Sequence, residues 1–152
     1  MRALVQRVSE AAVSVNNVIA GRIEHGLLVL LGIKHDDSEQ QAGYLARKVI
    51  GLRIFEDENG KMNRDVREVK GEILIVSQFT LYADTSKGNR PSYSNAAKAE
   101  RAEPLYESFV KHCRECGVGV STGVFGAEMQ VALVNEGPVT ILCETDHLTQ
   151  FT

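Results

Sequence analysis

The sequence predicts an α+β fold: a curved, mostly antiparallel, barrel-like sheet with two principal helices. Three observations carry that expectation. Strand-like runs outnumber helical ones, the helical runs fall between groups of strands, and the connections are short, which implies antiparallel neighbours. No internal repeat, low-complexity segment or Pro/Ser-rich linker divides the chain, so residues 1–152 read as a single domain. With 152 residues, 43% hydrophobic and 24% charged, it can bury a core, and disorder is excluded.

The elements follow in order. Leu4, Gln6 and Val8 alternate loosely, and Val13 and Val15 lead through Asn16 and Asn17 to Val18, Ala20 and Ile23, the pattern of a hairpin. "GLLVLLGI" (26–33) is apolar without alternation, which suits a strand buried on both faces. Ser38 followed by Gln41 has the form of a capping box, and Ala42, Leu45, Ala46, Val49 and Ile50 recur at helical spacing, so a helix is predicted over 38–51. "EDENGKMNRD" reads as a polar turn, and "GEILIVSQFTLYAD" is the most strand-like stretch of the chain. After the loop "TSKGNRPSYSN", Leu105, Phe109 and Cys113 recur every four residues on a second helix. Pro104 either opens that helix or kinks a longer one, and Gly117 stops it. The last third returns to strands joined by glycines.

Composition removes several classes of function. The longest apolar stretch is too short to cross a bilayer and no signal-peptide block opens the chain, so a cytoplasmic protein without a membrane partner is expected. Three cysteines, an odd number, argue for reduced thiols. A net charge of −3 lacks the basic stripe of a general nucleic-acid binder, so no DNA partner is expected and any RNA contact must be local. Cys113 and Cys116 form a C-x-x-C, but Cys143 is the one remaining thiol and a four-thiolate zinc site cannot be completed; no metal or other cofactor is expected. The four histidines, His25, His35, His112 and His147, are scattered, and no phosphate-binding glycine loop is present.

Two stretches stand out. "SQFTLYAD" (77–84) begins where a buried strand ends, a position where sites are commonly built, and Ser77, Gln78 and Thr80 supply hydroxyl and amide groups without charge. A strand with polar side chains facing water is the plainer alternative. "NEGPVT" (135–140) places Gly137 and Pro138 between two strand-like runs, where the pair weakens any strand it interrupts. A hairpin turn explains it as it stands; a turn with a further task is the other reading.

Together these stretches give the chain its resemblance. Ser77-Gln78-Phe79-Thr80-Leu81 and Asn135-Glu136-Gly137-Pro138-Val139-Thr140 match two separated motifs of the D-aminoacyl-tRNA deacylases of bacterial and eukaryotic type, in the family's order and on a chain of its usual size. The resemblance implies a homodimeric enzyme, without cofactor, that hydrolyses the ester joining a D-amino acid, or mischarged glycine, to the terminal adenosine of tRNA. It implies that Ser77, Gln78, Phe79 and Thr80 line the hydrolytic pocket. It also implies that Gly137 and Pro138, joined by a cis bond, project into the other subunit as a chirality filter, and that Arg7 braces that filter across the interface.

Physical sense can be made of such a filter. It must ignore which side chain is attached while rejecting every L-configured one, so rigid backbone that collides with an L-residue's Cβ suits the task better than a shaped recess. Glycine, without a Cβ, should pass. For the hydrolysis, Thr80 as a nucleophile would need an activating base. The favoured account has donors near Gln78 and Phe79, including backbone N–H groups, stabilising the oxyanion while the tRNA ribose assists. Lys87 and Arg90, in a glycine-containing loop after the first motif, are the candidate contacts to tRNA phosphates, with a solvated surface loop as the alternative. Two rival functions stay open: a non-catalytic dimerising module that binds an RNA end, and a hydrolase of small esters or peptides.

Overall fold

The computed structural model describes residues 1–151; position 152 of the expected domain lies outside them. β1 (Arg2–Val15) organises the sheet. One edge pairs antiparallel with β2 (Val18–Ile23) and β3 (Gly26–Gly32), the other with the 15-residue β8 (Gln130–Glu144). Asn16 and Asn17, at φ 49° and 64°, form the β1–β2 turn, since a two-residue hairpin of this twist needs left-handed backbone at both positions.

α1 (Glu39–Ile50) begins at Ser38, whose N–H donates to Gln41 Oε1 at 3.0 Å, one half of the expected capping box. α2 (Ala99–Glu115) packs beside it. Pro104 is the sixth residue of α2 and so does not open it, and Gly117, at φ +83°, closes it with an N–H bond to Arg114 O of 3.0 Å. The predicted polar turn at 56–65 is a small hairpin of β4 (Phe55–Glu56) and β5 (Met62–Arg64). Asp57 Oδ1 accepts the N–H of Asn59 and of Lys61, which tightens the loop enough for its flanks to pair.

β6 (Glu72–Ser77) departs from the antiparallel expectation, running parallel to both β3 and β7 (Gly119–Thr122). Its connections are long and contain α1 and α2, and a helical crossover returns the chain in the same direction. The sheet remains mostly antiparallel and curls until its ends meet: Ser121 Oγ on β7 donates to Arg22 O on β2 at 3.1 Å. Continuous apolar strands follow from this geometry. On β3 and β6, Leu27, Val29, Leu31, Ile73 and Ile75 face the helices, where they meet Leu45, Val49 and Phe109, while Leu28, Leu74 and Val76 fill the inside of the curl. Each such side chain contributes about 1.5–3 kcal/mol by leaving water. Among the described residues no helix is long and apolar enough to cross a membrane.

Both singled-out stretches differ from their simplest readings. The strand predicted through residue 84 stops at Ser77, and Phe79–Tyr82 winds into a 3₁₀ turn packed on β3 at Gly32. A Cβ at Gly32 would stand 3.0 Å from Leu81 Cβ and 3.1 Å from Gln78 O, so the glycine makes room for the turn. "NEGPVT" is not a hairpin turn, because β8 continues through it. Gln6 pairs with Thr140 and Val8 with Asn135, leaving Arg7 opposite the four residues 136–139, a bulge in one long strand.

Candidate functional site

The first candidate site forms where β6 ends. Gln78 N–H donates to Leu31 O at 2.8 Å, the last rung between β6 and β3, after which the chain leaves the sheet. In the turn that follows, Leu81 N–H returns to Gln78 O, so the preceding N–H groups of Phe79 and Thr80 have no acceptor within the turn. Gln78 Nε2 donates to Thr80 Oγ1. Ser77, Gln78 and Phe79 form one wall of a cavity of about 360 Å³. Ala97, Ala99 and Ala102 form a second, and Phe125, Gly126 and Met129 a third.

Thr80, exposed on the outside of the turn, is not among the lining residues. None of the lining side chains is titratable. The cavity therefore offers hydrogen bonds and apolar contact but no general base of its own. The third wall went unrecognised in the sequence, where "STGVFGAEM" reads as glycine-joined strand; Gly123 and Gly126, the latter at φ +74°, are its local signals of a loop.

The second candidate site is the bulge of β8. The Gly137–Pro138 bond is cis, the isomer the resemblance implies. Glu136, Gly137 and Pro138 are exposed, and Gly137 sits at φ +127°, a conformation that disfavours any residue with a Cβ. A Cβ there would also lie 2.9 Å from Val139 Cγ2 and 3.0 Å from Arg7 Nη2, so both side chains would have to shift.

Two side chains bracket the bulge. Asn135 Oδ1 accepts Val139 N–H at 3.1 Å across its neck, while Asn135 Nδ2 donates to Thr140 Oγ1 at 2.9 Å. Arg7, only 7% exposed, donates through Nε to Glu136 O at 3.1 Å and through Nη1 to Ile54 O at 2.6 Å. Arg7 thus reaches the bulge of its own chain. Nothing local in the sequence assigns Asn135 a role, because its side chain acts across a bulge that exists only in the paired sheet. Behind the bracket lies a cavity of about 440 Å³ lined by Arg7, His25, Phe55, Glu56, Glu136 and Gly137, among others. It shares no lining residue with the cavity at Gln78, so one chain does not bring the two motifs into one pocket.

Lys87 and Arg90 are exposed on a loop pinned at its base by the paired backbones of Asp84 and Ser92. Tyr93, just past that base, meets the Phe79 ring edge-on at 5.2 Å, which sets the loop beside the Gln78 cavity. The cysteines are elsewhere and unpaired. Burial pushes the Cys113 thiol up to about 12, so it stays protonated and unreactive at neutral pH. Among the described residues no group of three or more His, Cys, Asp or Glu side chains could hold a metal ion.

A profile of the family described as D-Tyr-tRNA(Tyr) deacylase matches residues 4–144. The chain is 59% identical over 145 residues to the D-aminoacyl-tRNA deacylase of Koribacter versatilis, covering 95% of this chain and 97% of that one. It is 56% identical over 145 residues to the D-aminoacyl-tRNA deacylase of Thermosipho africanus, with the same coverage of 95% and 97%. Among solved structures, a protein described as c-Myc DNA Unwinding Element Binding Protein superposes with a TM-score of 0.90 at 42% identity, over 95% of this chain and 99% of that one. A probable eukaryotic D-amino acid tRNA deacylase superposes with a TM-score of 0.80 over 93% and 97%, and at 20% identity that likeness is one of fold.

Proposed function

Because this chain belongs to the D-Tyr-tRNA(Tyr) deacylase family, we propose that its two sites divide the work of one reaction, the cavity at Gln78 carrying hydrolysis and the bulge at Gly137–Pro138 carrying the choice of hand. The chain is a D-aminoacyl-tRNA deacylase, a hydrolase of the ester between a D-amino acid and tRNA. One observation carries the division of labour: the cavity has hydrogen-bonding groups and no titratable side chain. Hydrolysis then proceeds by placing the ester and a water, with the N–H groups of Phe79 and Thr80 and the Gln78 amide facing the oxyanion as it forms. The ribose hydroxyl beside the ester supplies the proton relay that the pocket lacks. Thr80, outside the cavity and without a base among its bonded partners, serves through its contact with Gln78.

Discrimination needs the bulge to meet the substrate, and the two motifs line separate cavities of one chain. A second copy resolves this by inserting its own Gly137 and Pro138. Support for a homodimer comes from β8, whose outer edge has no strand partner among the described residues and whose Val134 and Leu142 are exposed. Backbone presented there collides with the Cβ of an L-residue and admits a D-residue or glycine, so mischarged glycyl-tRNA is a substrate too. Residues 1–152 act as one domain in the cytoplasm, and Lys87 and Arg90 meet phosphates near the acceptor end of the tRNA.

The test is release of amino acid from D-Tyr-tRNA, L-Tyr-tRNA and Gly-tRNA by purified protein without added metal. Release from the first and third with the second spared is expected. Equal release from D- and L-Tyr-tRNA would remove the filter while leaving the hydrolase, and inertness toward all three would favour the RNA-end-binding module.

A further inference from the structure

We infer that Phe79 and Tyr93 form a stacking platform for a base of the unpaired nucleotides that precede the terminal adenosine of the tRNA. The inference rests on the ester lying in the cavity at Gln78. Phe79 and Tyr93 are 54% and 40% exposed, and their rings touch edge to face with centroids 5.2 Å apart. By contrast Tyr44, Phe55, Tyr82, Tyr106, Phe109 and Phe125 are buried or half-buried. Apolar side chains exposed one at a time are ordinary, whereas an adjoining aromatic pair at the mouth of a cavity is a contact surface.

Both rings stand on fixed backbone. Phe79 opens the 3₁₀ turn packed on β3 at Gly32 and also belongs to the cavity wall, so the platform is continuous with the place where the ester is held. Tyr93 follows Ser92, whose N–H and carbonyl pair with Asp84 at 3.0 and 2.8 Å, and its own carbonyl accepts Ala96 N–H at 3.1 Å. That pairing of Asp84 with Ser92 closes the loop carrying Lys87 and Arg90, so cavity, aromatic pair and cationic loop adjoin in that order. A single strand of RNA calls for this combination. Every base has a π-face on which a ring can stack whatever the sequence, and its phosphates are met by cations. The occupant is the substrate's own strand rather than a second protein. A strand whose terminal ester sits beside Gln78 must leave the cavity past one of its walls, and at this wall both its bases and its anionic backbone find matching groups.

Tyr93 is not among the residues lining the cavity, so it can be changed without altering the hydrolytic wall. The test compares substrates that carry the same ester: D-Tyr-tRNA, the D-tyrosyl ester of the trinucleotide CCA, and D-tyrosyl-adenosine, which lacks the preceding nucleotides. Tyr93→Ala should lower kcat/KM about five- to 100-fold on the first two and leave the third within about twofold, while Tyr93→Trp, which keeps an aromatic face, should retain activity on all of them. Equal loss on all of them would make Tyr93 a prop for the cavity, and no loss on any would leave it as bare surface; either result overturns the platform. The chain has no tryptophan, so Tyr93→Trp also supplies a single fluorophore. Its emission should be quenched by uncharged tRNA ending in CCA, and much less by the same tRNA with abasic sites in place of the two terminal cytidines. Equal quenching by both, or none by either, would overturn the platform. Because this readout needs no turnover, a protein that shows the base-dependent quenching yet releases no amino acid would refute the proposed function and leave the platform standing.

Discussion

The cavity at the end of β6 and the bulge of β8 are built from opposite materials. The first is lined by small apolar side chains and neutral hydrogen-bonding groups, and the second is fastened by the guanidinium of a buried arginine and the side-chain amide of Asn135. Chemistry on a substrate that brings its own hydroxyl needs orientation more than titration. Under the proposed division of labour the bulge needs stiffness to select by collision, and the charge-assisted hydrogen bonds from Arg7 to the carbonyls of Glu136 and Ile54 supply it. The difference teaches that changes in the cavity should alter rate with little effect on the choice of hand, and changes in the bulge the reverse.

The sharpest break of that comparison is Gln78→Ala. Loss of an oxyanion donor should lower kcat on D-Tyr-tRNA about 100-fold, with the preference for D over L retained, while Thr80→Ala keeps most of its activity. A Thr80→Ala enzyme with the fold intact and almost no activity would restore the nucleophile and undo the account of the cavity as free of covalent chemistry.

Gly137→Ala comes next. Its φ of +127° and a Cβ within 3.0 Å of Arg7 Nη2 should cost about 1–3 kcal/mol, read as a lower urea midpoint at unchanged slope. The ratio of D to L turnover should fall more than the D rate itself, and a fall confined to the D rate would merge the two regions into one functional unit.

The smallest effect is expected from the loop that carries Lys87 and Arg90. Lys87→Ala with Arg90→Ala should weaken binding of whole tRNA and flatten the plot of log affinity against log salt by about 0.7–0.9 per cation removed, leaving the D/L ratio untouched. Unchanged affinity would leave that loop as solvated surface.

Legibility followed the range of the forces involved. Ser38 and Gln41 are three residues apart and Asn16 and Asn17 adjacent, so the cap of α1 and the β1–β2 turn could be read from neighbours alone. The unbroken apolar run of β3 likewise announced burial on both faces, because no strand with a wet face could carry it. The motif residues were visible as residue types, and the roles proposed for them come from the family likeness. Their arrangement was not visible. Gly137 and Pro138 weaken a strand equally well as the corner of a hairpin or as a bulge, and the choice was made by Gln6 and Val8 pairing with Thr140 and Asn135, more than a hundred residues away in the chain. In the same way, β6 ended at Ser77 because Gly32 left room for a turn to pack on β3, and the far wall of the cavity came from Phe125, Gly126 and Met129. Caps, turns and apolar periodicity act over one or two turns of backbone, so the sequence by itself determined the elements and the types of group they carry. Which strand lies opposite a weak point is settled by packing across the whole sheet, and that only the tertiary structure decided.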